Sequence, residues 1–217
     1  MSHAAKPFSQ ASERNQQPIL EILRDLLAHS VQVLEIGSGT GQHAVFFARH
    51  LPHLQWHTSD LPEQHAGILA WIADAALPNV RAPLDLDVDA MTWPVREMDA
   101  VFSANTAHIV AWPQVRHMFQ GVARTLKPGG LFCLYGPFNY AGNFTSDSNA
   151  QFDAWLKQRD ARSGIRDFEA LDALIEMEKR DTEKLHEEST ATYKNMRMLS
   201  IVLILTSGIE FLLAAAF

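Results

Sequence analysis

The sequence predicts a single α/β domain built on a mostly parallel sheet with helices on both faces. Apolar segments of strand length alternate five times with amphipathic segments of helix length in the first two thirds of the chain. The strand segments are continuously apolar, which is typical of strands covered on both faces. A glycine-rich turn, GSGTG at 37–41, joins the first strand to a helix, and such sheets bind ligands at the carboxyl ends of their strands.

The individual elements follow from local patterns. Leu and Ile at helical spacing predict a first helix over 18–28, with Pro18 in the first turn, where proline is tolerated. Lys127–Gly130 is expected to form the turn before the fifth strand. The strands are expected at 31–36, 54–58, 80–88, 99–104 and 131–135, and the helices between them at 42–49, 64–76 and 113–126.

Composition restricts the classes of partner. The chain has 217 residues, enough for one well-buried core, and its formal net charge of −7 opposes binding to nucleic acid. Cys133 is the only cysteine, which excludes an internal disulfide and a cysteine-rich zinc site. The ten histidines show no metal-ligand spacing, so no metal is expected. A single cysteine and the absence of an apolar signal-peptide run near the first residues favour a reducing, cytoplasmic location.

The glycine turn favours an adenosyl cofactor over a dinucleotide. Gly37, Gly39 and Gly41 remove side chains where a strand becomes a helix, so a ligand can approach the main chain. A dinucleotide fingerprint needs a glycine at position 42, where this chain has Gln42. Glu35 would repel a pyrophosphate but suits the ammonium and sulfonium groups of S-adenosylmethionine.

Acidic residues near the next two strand ends extend the predicted cofactor site. Asp60 lies 23 residues after Gly37 and is placed to accept hydrogen bonds from both ribose hydroxyls. Asp87 is placed to accept from the adenine amino group while Val88 covers the ring, with Asp85 as an alternative to Asp87. Structural roles are the competing interpretation: the glycines can form a tight turn alone, and Asp60 or Asp87 can cap a helix.

Several longer stretches of the chain form a more specific pattern than the glycine turn alone. They are SERNQQPIL (12–20), VLEIGSGTGQHAVFFA (33–48), WHTSD (56–60), LDV (86–88), FSANTAHIVAW (102–112), YGPFNYAGNFTSDSNAQFD (135–153) and GIRDFEAL (164–171). Together they resemble class I S-adenosylmethionine-dependent methyltransferases and, more narrowly, the methyltransferase-like protein twenty-six family. The resemblance covers about residues 8–172 and implies the Rossmann-like methyltransferase sheet. It also implies S-adenosyl-L-methionine bound by Glu35, Gly37, Ser38, Gly39, Gly41, Asp60, Asp87 and Val88, and it supplies no methyl acceptor.

The residues after the fourth strand are the candidates for catalysis. Methyl transfer needs the acceptor aligned with the methyl group and sometimes needs a proton removed. His108 is the candidate general base because the reference pKa of histidine lies near neutrality, and a wall residue that moves no proton is the equal alternative. Asn105 is the second candidate, with hydrogen bonding to cofactor or substrate as its expected role.

Two further groups are expected at the site. Tyr135, Tyr140 and Asn143 follow the fifth strand in a polar loop and are predicted to contact the substrate, although such a loop can also be a plain connection. Arg14 and Asn15 precede the predicted first helix and are expected to cover the cofactor carboxylate, with helix capping as the alternative.

The carboxyl-terminal part departs from the pattern of the family. We expect a methyltransferase-like domain over 1–172, a charged helical connector over 173–197 and an apolar segment over 198–217 in which Glu210 is the only charge. One interpretation of the apolar segment is a membrane helix that anchors a cytoplasmic protein, against a cost of about 2.5–3.5 kcal/mol for Glu210. The other is a strand pair, 200–205 and 209–213, that closes the sheet. The helix is slightly favoured because LLAAAF is helix-prone, and without closing strands the domain would be destabilised or inactive.

The sequence therefore predicts an S-adenosylmethionine-dependent methyltransferase acting on an unidentified small molecule. Two alternatives remain. One is an NAD-type oxidoreductase built on the same kind of sheet, and the other is a non-catalytic, membrane-tethered protein that binds the cofactor.

Overall fold

The computed structural model describes residues 6–189, 200–203 and 211–216. Within these residues seven strands form one sheet in the order β3-β2-β1-β4-β5-β9-β8. Strands β1 to β5 run parallel, and β9 pairs antiparallel with both β5 and β8. A separate two-stranded sheet is formed by β6 and β7.

The strands have the following bounds: β1 Gln32–Ile36, β2 Gln55–Asp60, β3 Val80–Asp85, β4 Met98–Ala104, β5 Leu126–Gly136, β6 Phe138–Asn139, β7 Arg166–Asp167, β8 Ser200–Leu203 and β9 Phe211–Ala216. The helices are α1 Gln10–Leu26, α2 Gln42–His50, α3 His65–Ala75, α4 Trp112–Thr125, α5 Asp147–Arg159 and α6 Phe168–Ser189. A short 3₁₀ helix, Pro62–Gln64, precedes α3.

Each face of the sheet carries its own apolar core, as expected for parallel strands covered on both sides. On one face α1 and α2 pack against a cluster that includes Phe47, Trp56 and Phe102. On the other face α4 and α6 pack against a cluster that includes Phe119 and Phe132. Burial of each such side chain contributes about 1.5–3 kcal/mol, so the two cores fix the strand ends relative to one another.

Helix α1 begins earlier than the sequence predicts. Ser9 is its N-cap, and the Ser9 hydroxyl accepts a hydrogen bond from the amide of Ser12 at 3.2 Å. Pro18 therefore lies inside the helix and not in its first turn, which corrects the predicted start at 18. The earlier start places Asn15 one turn before Ile19 on the buried face of the helix, because residues four apart share a face.

Among the parallel strands, the largest differences from the expected boundaries are at the end of β3 and the start of β5. Strand β3 ends at Asp85 and not at Val88, because Asp87 forms a turn in which its carboxylate accepts from the amide of Asp89 at 2.9 Å. Strand β5 begins at Leu126 and includes the residues expected to form a turn. Its pairing with β4 shifts from Met98–Leu126 to Ala100–Leu131, so this stretch is a bulge within the strand.

The carboxyl-terminal strands correct the favoured membrane helix. Of residues 198–217, the described ones are strands, as in the alternative of a closing strand pair, with β9 at Phe211–Ala216 where 209–213 was expected. The helix propensity of LLAAA is outweighed because β5 would otherwise expose a row of unpaired main-chain groups. In the parts of the chain that the structure describes, none of the helices is long and apolar enough to cross a bilayer. Glu210 lies outside the described residues.

The expected boundary between 172 and 173 falls inside α6. Leu171, Leu174 and Ile175 are all buried in the core that α6 shares with α4. The first turns of the charged helix thus pack against the domain, and the helix continues to Ser189, the last described residue before the gap at 190–199.

Candidate functional site

The carboxyl ends of β1, β2 and β4 bring the glycine turn together with Asp60 and the loop after β4. Ile36, the last residue of β1, is in register with Ser59 of β2 and Ser103 of β4. The Ser103 hydroxyl donates to the carbonyl of Ile36 at 3.0 Å, and the amide of Ser38 donates to the carbonyl of Ser59 at 2.9 Å. These bonds fix the start of the turn between its two neighbouring strands.

The turn requires glycine for two physical reasons. Gly37, Gly39 and Gly41 have φ values of 69°, 55° and 89°, a region that L side chains rarely adopt. A Cβ atom at Gly37 would also lie 2.6 Å from Oγ1 of Thr106, and one at Gly41 would lie 3.0 Å from Cα of Ile68. Conformation and close packing thus both require glycine at 37 and 41, whereas a Cβ atom at Gly39 would have no neighbour nearer than the carbonyl oxygen of Gly37, at 4.0 Å.

Asp60 lies directly against the turn. Its Oδ2 accepts from the amide of Gly39 at 2.7 Å, and its Oδ1 accepts from the amide of Leu61 at 2.8 Å. Partial burial raises the pKa of Asp60 above its ordinary value, while the two main-chain bonds oppose that shift. The residue predicted to bind the ribose is thus in direct contact with the glycine turn.

Glu35 supports the turn from below. Its Oε2 accepts from the hydroxyl of Ser38 at 2.9 Å and from the indole of Trp56 at 3.0 Å, and the residue is 1% exposed. Burial raises the pKa of Glu35 to about 7, although both hydrogen bonds lower it. Near pH 7 the group is therefore not the fixed negative charge that the sequence predicts.

The expected adenine residues follow β3. Asp87 is exposed, while Val88 is buried in the core on the α4 face. Asp85, the alternative to Asp87, is in register with Asp60. A cleft of about 540 Å³ lies close by, at the start of α4, and is lined by Asp89, Ala111, Trp112, Pro113, Gln114, His117 and Arg162.

The structure separates the predicted pair Arg14 and Asn15. Arg14 is exposed, whereas Asn15 is 4% exposed and its Oδ1 lies 2.7 Å from Nε2 of His43. Among the described residues, Nδ2 of Asn15 has no hydrogen-bond partner. Because α1 directly precedes β1 and packs across the sheet, its first turns lie at the carboxyl edge of the strands, where the glycine turn begins α2.

Sequence reasoning missed His43. Its ring stacks on Phe47 with centroids 5.3 Å apart and meets Phe102 edge-on at 6.2 Å. Burial lowers the pKa of His43 to about 4, so the imidazole is neutral at pH 7. The only sequence signal was its place in the first turn of the helix that follows Gly41.

Asn105 and His108 are brought together at the end of β5. Asn105 has φ 59° and donates its amide to the carbonyl of Tyr135 at 2.8 Å. A Cβ atom at Gly136 would lie 3.4 Å from Nδ1 of His108 and 3.9 Å from Oδ1 of Asn105. The ring of Phe152 meets His108 edge-on at 5.3 Å. Gly136 and Phe152 lie within the sequence motif at 135–153, but the sequence predicts no role for either.

The environment of His108 changes its expected chemistry. The residue is 4% exposed, and burial, followed by the charge of Arg166, lowers the pKa of His108 to about 4. The premise of a pKa near neutrality is therefore not met. A neutral imidazole of low basicity is suited to hydrogen bonding and is a weak general base.

The side chains of the three predicted substrate residues lie in different surroundings. Tyr135 is 4% exposed in the core on the α1 face. Tyr140 stacks on Phe168 of α6 with centroids 5.2 Å apart, and Asn143 is exposed and donates its side-chain amide to the carbonyl of Ala141 at 2.9 Å. The part of the loop that carries Tyr140 and Asn143 is thus an exposed turn closed by mutual main-chain bonds of these two residues.

No group of three or more His, Cys, Asp or Glu side chains within the described residues is arranged to hold a metal ion.

Comparison with known proteins identifies the fold. A family model described as "Protein of unknown function (DUF938)" matches residues 6–192. An O-methyltransferase family protein from Burkholderia thailandensis superposes with a TM-score of 0.74 and 17% identity, over 95% of this chain and 57% of that one. Human N-acetylserotonin methyltransferase, solved in complex with SAM, gives 0.64 and 16%, over 95% and 52%. Mitomycin 7-O-methyltransferase gives 0.73 and 11%, over 95% and 55%.

At these identities the likeness shows the fold alone. The chain has the α/β, Rossmann-like fold of class I methyltransferases, which confirms the predicted fold class. It spans little more than half the length of the structures that it matches.

Proposed function

The chain belongs to the DUF938 family, whose function is unknown, and we propose that it is an S-adenosylmethionine-dependent methyltransferase acting on a small-molecule acceptor. The observation that carries the proposal is the contact between Asp60 and the amide of Gly39 at 2.7 Å. This hydrogen bond places a carboxylate that can accept from two ribose hydroxyls next to a turn whose glycines carry no side chains. On the sequence motifs, we also propose that the chain is related to the methyltransferase-like protein twenty-six family.

The residues at the turn fit an adenosyl cofactor. Asp60 would accept from the ribose hydroxyls, and the main chain of Gly37, Ser38, Gly39 and Gly41 would receive the methionine portion. The cofactor supplies an electrophilic methyl group when bound. Asp87 or Asp85 would accept from the adenine amino group, and Val88 would flank the ring.

Asn15 gives this assignment an independent test of fit. Its Nδ2 is buried and lacks a hydrogen-bond partner in the described part of the chain, and a buried donor left unpaired costs about 1–3 kcal/mol. A ligand carboxylate would satisfy that donor. We assign this contact to Asn15 and not to Arg14, because the Arg14 side chain is exposed.

Glu35 would act through its ionisation. A cationic ligand near the turn favours the charged carboxylate, so binding would lower the pKa of Glu35 from about 7 and release a proton. The affinity for a cationic cofactor should then rise with pH up to about 7 and level off above it.

On the acceptor side we propose that His108 and Asn105 orient the nucleophile. Their side chains meet at Gly136, whose missing side chain leaves room beside Nδ1 of His108. With its pKa lowered to about 4, His108 serves better as a hydrogen-bonding wall than as a strong base. An acceptor whose nucleophile needs little help with proton loss suits this site best. The net charge of −7 favours a small-molecule acceptor over nucleic acid, and we propose a cytoplasmic location on the single, buried Cys133.

The two alternative functions gain no support. Gln42 is 3% exposed, and its Oε1 accepts from the hydroxyl of Thr40 at 3.1 Å and from the amide of Ser9. A side chain thus fills the position at which a dinucleotide fingerprint needs a glycine. The membrane-tethered alternative relied on a terminal helix, and the described residues of that segment are strands.

Isothermal calorimetry with S-adenosylhomocysteine tests the proposal. We expect micromolar affinity for the wild type and a loss of at least about tenfold for Asp60→Ala, because one charged hydrogen-bond acceptor is removed. Asp160→Ala is the matched control, since Asp160 is a surface carboxylate that pairs with Arg162. Equal affinity of Asp60→Ala and the wild type, or binding of NAD in place of the adenosyl ligand, would contradict the proposal.

A further inference from the structure

The loop that carries His108 is held through hydrogen bonds to its main-chain carbonyls. Four consecutive carbonyls, from Ala107 to Val110, all accept hydrogen bonds from the segment Ser163–Arg166, which we call the clamp. The donors are Nε of Arg166 to Ala107 at 3.0 Å, the amide of Gly164 to His108 at 2.9 Å, the hydroxyl of Ser163 to Ile109, and Nη2 of Arg166 to Val110.

The clamp is itself anchored in the fold. Asp153 of α5 is 5% exposed, and its Oδ1 accepts from the amide of Ile165 at 2.8 Å. The other oxygen of Asp153 pairs with Lys157 at 2.6 Å. Gly164 has φ 154°, and a Cβ atom there would lie 2.8 Å from Oδ1 of Asp153. The clamp therefore packs against the Asp153 carboxylate with no room for a side chain at Gly164.

Such an arrangement differs from an ordinary surface loop. Loop carbonyls are usually left to water, and loops are among the more mobile parts of a fold. Here the half-buried guanidinium of Arg166 directs three donors at carbonyls, the third being that of Arg162 at 3.0 Å. The bonded loop is the one that places His108 against Gly136. Rigid placement of a substrate-facing group is what an acceptor site requires, because small misplacements slow transfer strongly.

We propose that Arg166 is a positioning residue which, with Ser163 and Asp153, holds the loop of residues 107–110 so that His108 stays against Gly136 before any acceptor binds. This inference rests on the proposed function, which gives His108 its place at the acceptor. It assigns roles to the NAQFD and GIRDFEAL stretches, which the cofactor turn does not use.

The test compares Arg166→Lys with Arg162→Lys in the full-length protein. Lysine keeps the positive charge, but a single ammonium cannot reproduce the fork that reaches both Ala107 and Val110. The side chain of Arg162 is exposed and pairs with Asp160, so its replacement is the matched control. The readouts are the titration of the His108 imidazole by NMR, assigned with His108→Gln, and the hydrogen exchange of the Gly164 amide.

In Arg166→Lys the freed loop should expose His108, so its pKa should rise from about 4 toward the ordinary 6.5. Exchange of the Gly164 amide should accelerate at least about tenfold, because its bond to the His108 carbonyl opens more often. Arg162→Lys should match the wild type in both measurements.

Two results would overturn the proposal. One is a His108 titration that shifts in Arg166→Gln but not in Arg166→Lys, because Arg166 would then act through its charge alone. The other is unchanged exchange at Gly164 in Arg166→Lys. Should that variant fail to fold, Ser163→Ala, which removes only the bond to Ile109, is measured together with Arg166→Gln, and unchanged Gly164 exchange in both would equally overturn the clamp. Wild-type binding of S-adenosylhomocysteine is measured in parallel, so failure of the proposed function is seen separately from failure of the clamp.

Discussion

Trp56 donates its indole hydrogen to the Glu35 carboxylate at 3.0 Å, directly beneath the glycine turn. The same oxygen accepts from Ser38 within that turn, so an ionisable group in the core is bonded to the main functional loop. Burial raises the pKa of Glu35 to about 7, with Asp60 adding a smaller repulsive contribution. The stability of the site is thereby coupled to pH in the physiological range.

Glu35→Gln should remove part of the pH dependence of stability. A carboxyl group whose pKa is raised on folding contributes stability that is fully present below its unfolded value of 4.5 and is lost as pH rises to about 7. Glutamine stays neutral and can still accept from Trp56. The free energy of unfolding of the variant, relative to the wild type, should therefore increase by about 3 kcal/mol between pH 4.5 and pH 8. Urea denaturation at several pH values measures this difference.

Glu21→Gln is the control for that experiment, because Glu21 is exposed on α1. It should follow the wild-type profile. A Glu35→Gln profile that also runs parallel to the wild type would show that folding does not raise the pKa of Glu35.

His43→Gln should act in the opposite direction. Burial lowers the pKa of His43 from 6.5 to about 4, so this group contributes stability that is present above pH 6.5 and is lost as pH falls to about 4. Glutamine does not titrate, and its amide can donate to Oδ1 of Asn15. The variant should be less stable at pH 7, because stacking on Phe47 is lost, yet it should lose about 3 kcal/mol less on acidification from pH 6.5 to 4. Parallel acid profiles would contradict this expectation.

Substitutions at two glycines with similar backbone conformations distinguish backbone strain from loss of ligand binding. Gly37 has φ 69° and Gly129 has φ 77°, and an added Cβ would meet Oγ1 of Thr106 at 2.6 Å in the first case and nothing within 4 Å in the second. Gly129→Ala should cost about 1 kcal/mol of stability and leave the affinity for S-adenosylhomocysteine unchanged. Gly37→Ala should also displace Thr106 and reduce that affinity at least about tenfold.

Combining Gly37→Ala with Thr106→Ala gives a sharper version of this test. Removing the obstructing hydroxyl should restore part of the lost affinity. If calorimetry shows equal affinity for Gly37→Ala and Gly129→Ala, the turn does not receive the ligand.

The sequence predicts the features of the site that depend on local chemistry. The glycine turn and Asp60 belong to this class. Glycines at positions of positive φ and an acidic residue at the end of a strand can both be recognised within a short segment of sequence. The predicted pair of Arg14 and Asn15 illustrates the limit. The sequence predicts both residues at the cofactor carboxylate, but the true start of α1 at Gln10 directs Asn15 inward and Arg14 outward.

Features that depend on packing between distant segments were not predictable from a single sequence. The lowered pKa of His108 arises from burial beside Phe152 and from Arg166, which lies 58 residues further along the chain. Strand β9 is the other case, because the sequence indicates a strand there only as the alternative to a helix. Its residues have helical propensity, and only the unpaired edge of β5, about 80 residues earlier, makes them a strand.

A substitution in β9 tests whether that strand closes the sheet. Ala214 is paired on both sides, with Cys133 of β5 and with Ile201 of β8. Ala214→Pro removes a ladder hydrogen bond between two strands, so it should lower stability by about 3 kcal/mol and, by exposing the edge of β5, promote self-association. Ala214→Val is the matched control, because a β-branched residue suits a strand, and its backbone can keep every ladder bond. Thermal unfolding and light scattering measure the two effects. Recovery of the wild type only from the membrane fraction, with equal thermal stability of both variants, would instead favour a helix in this segment.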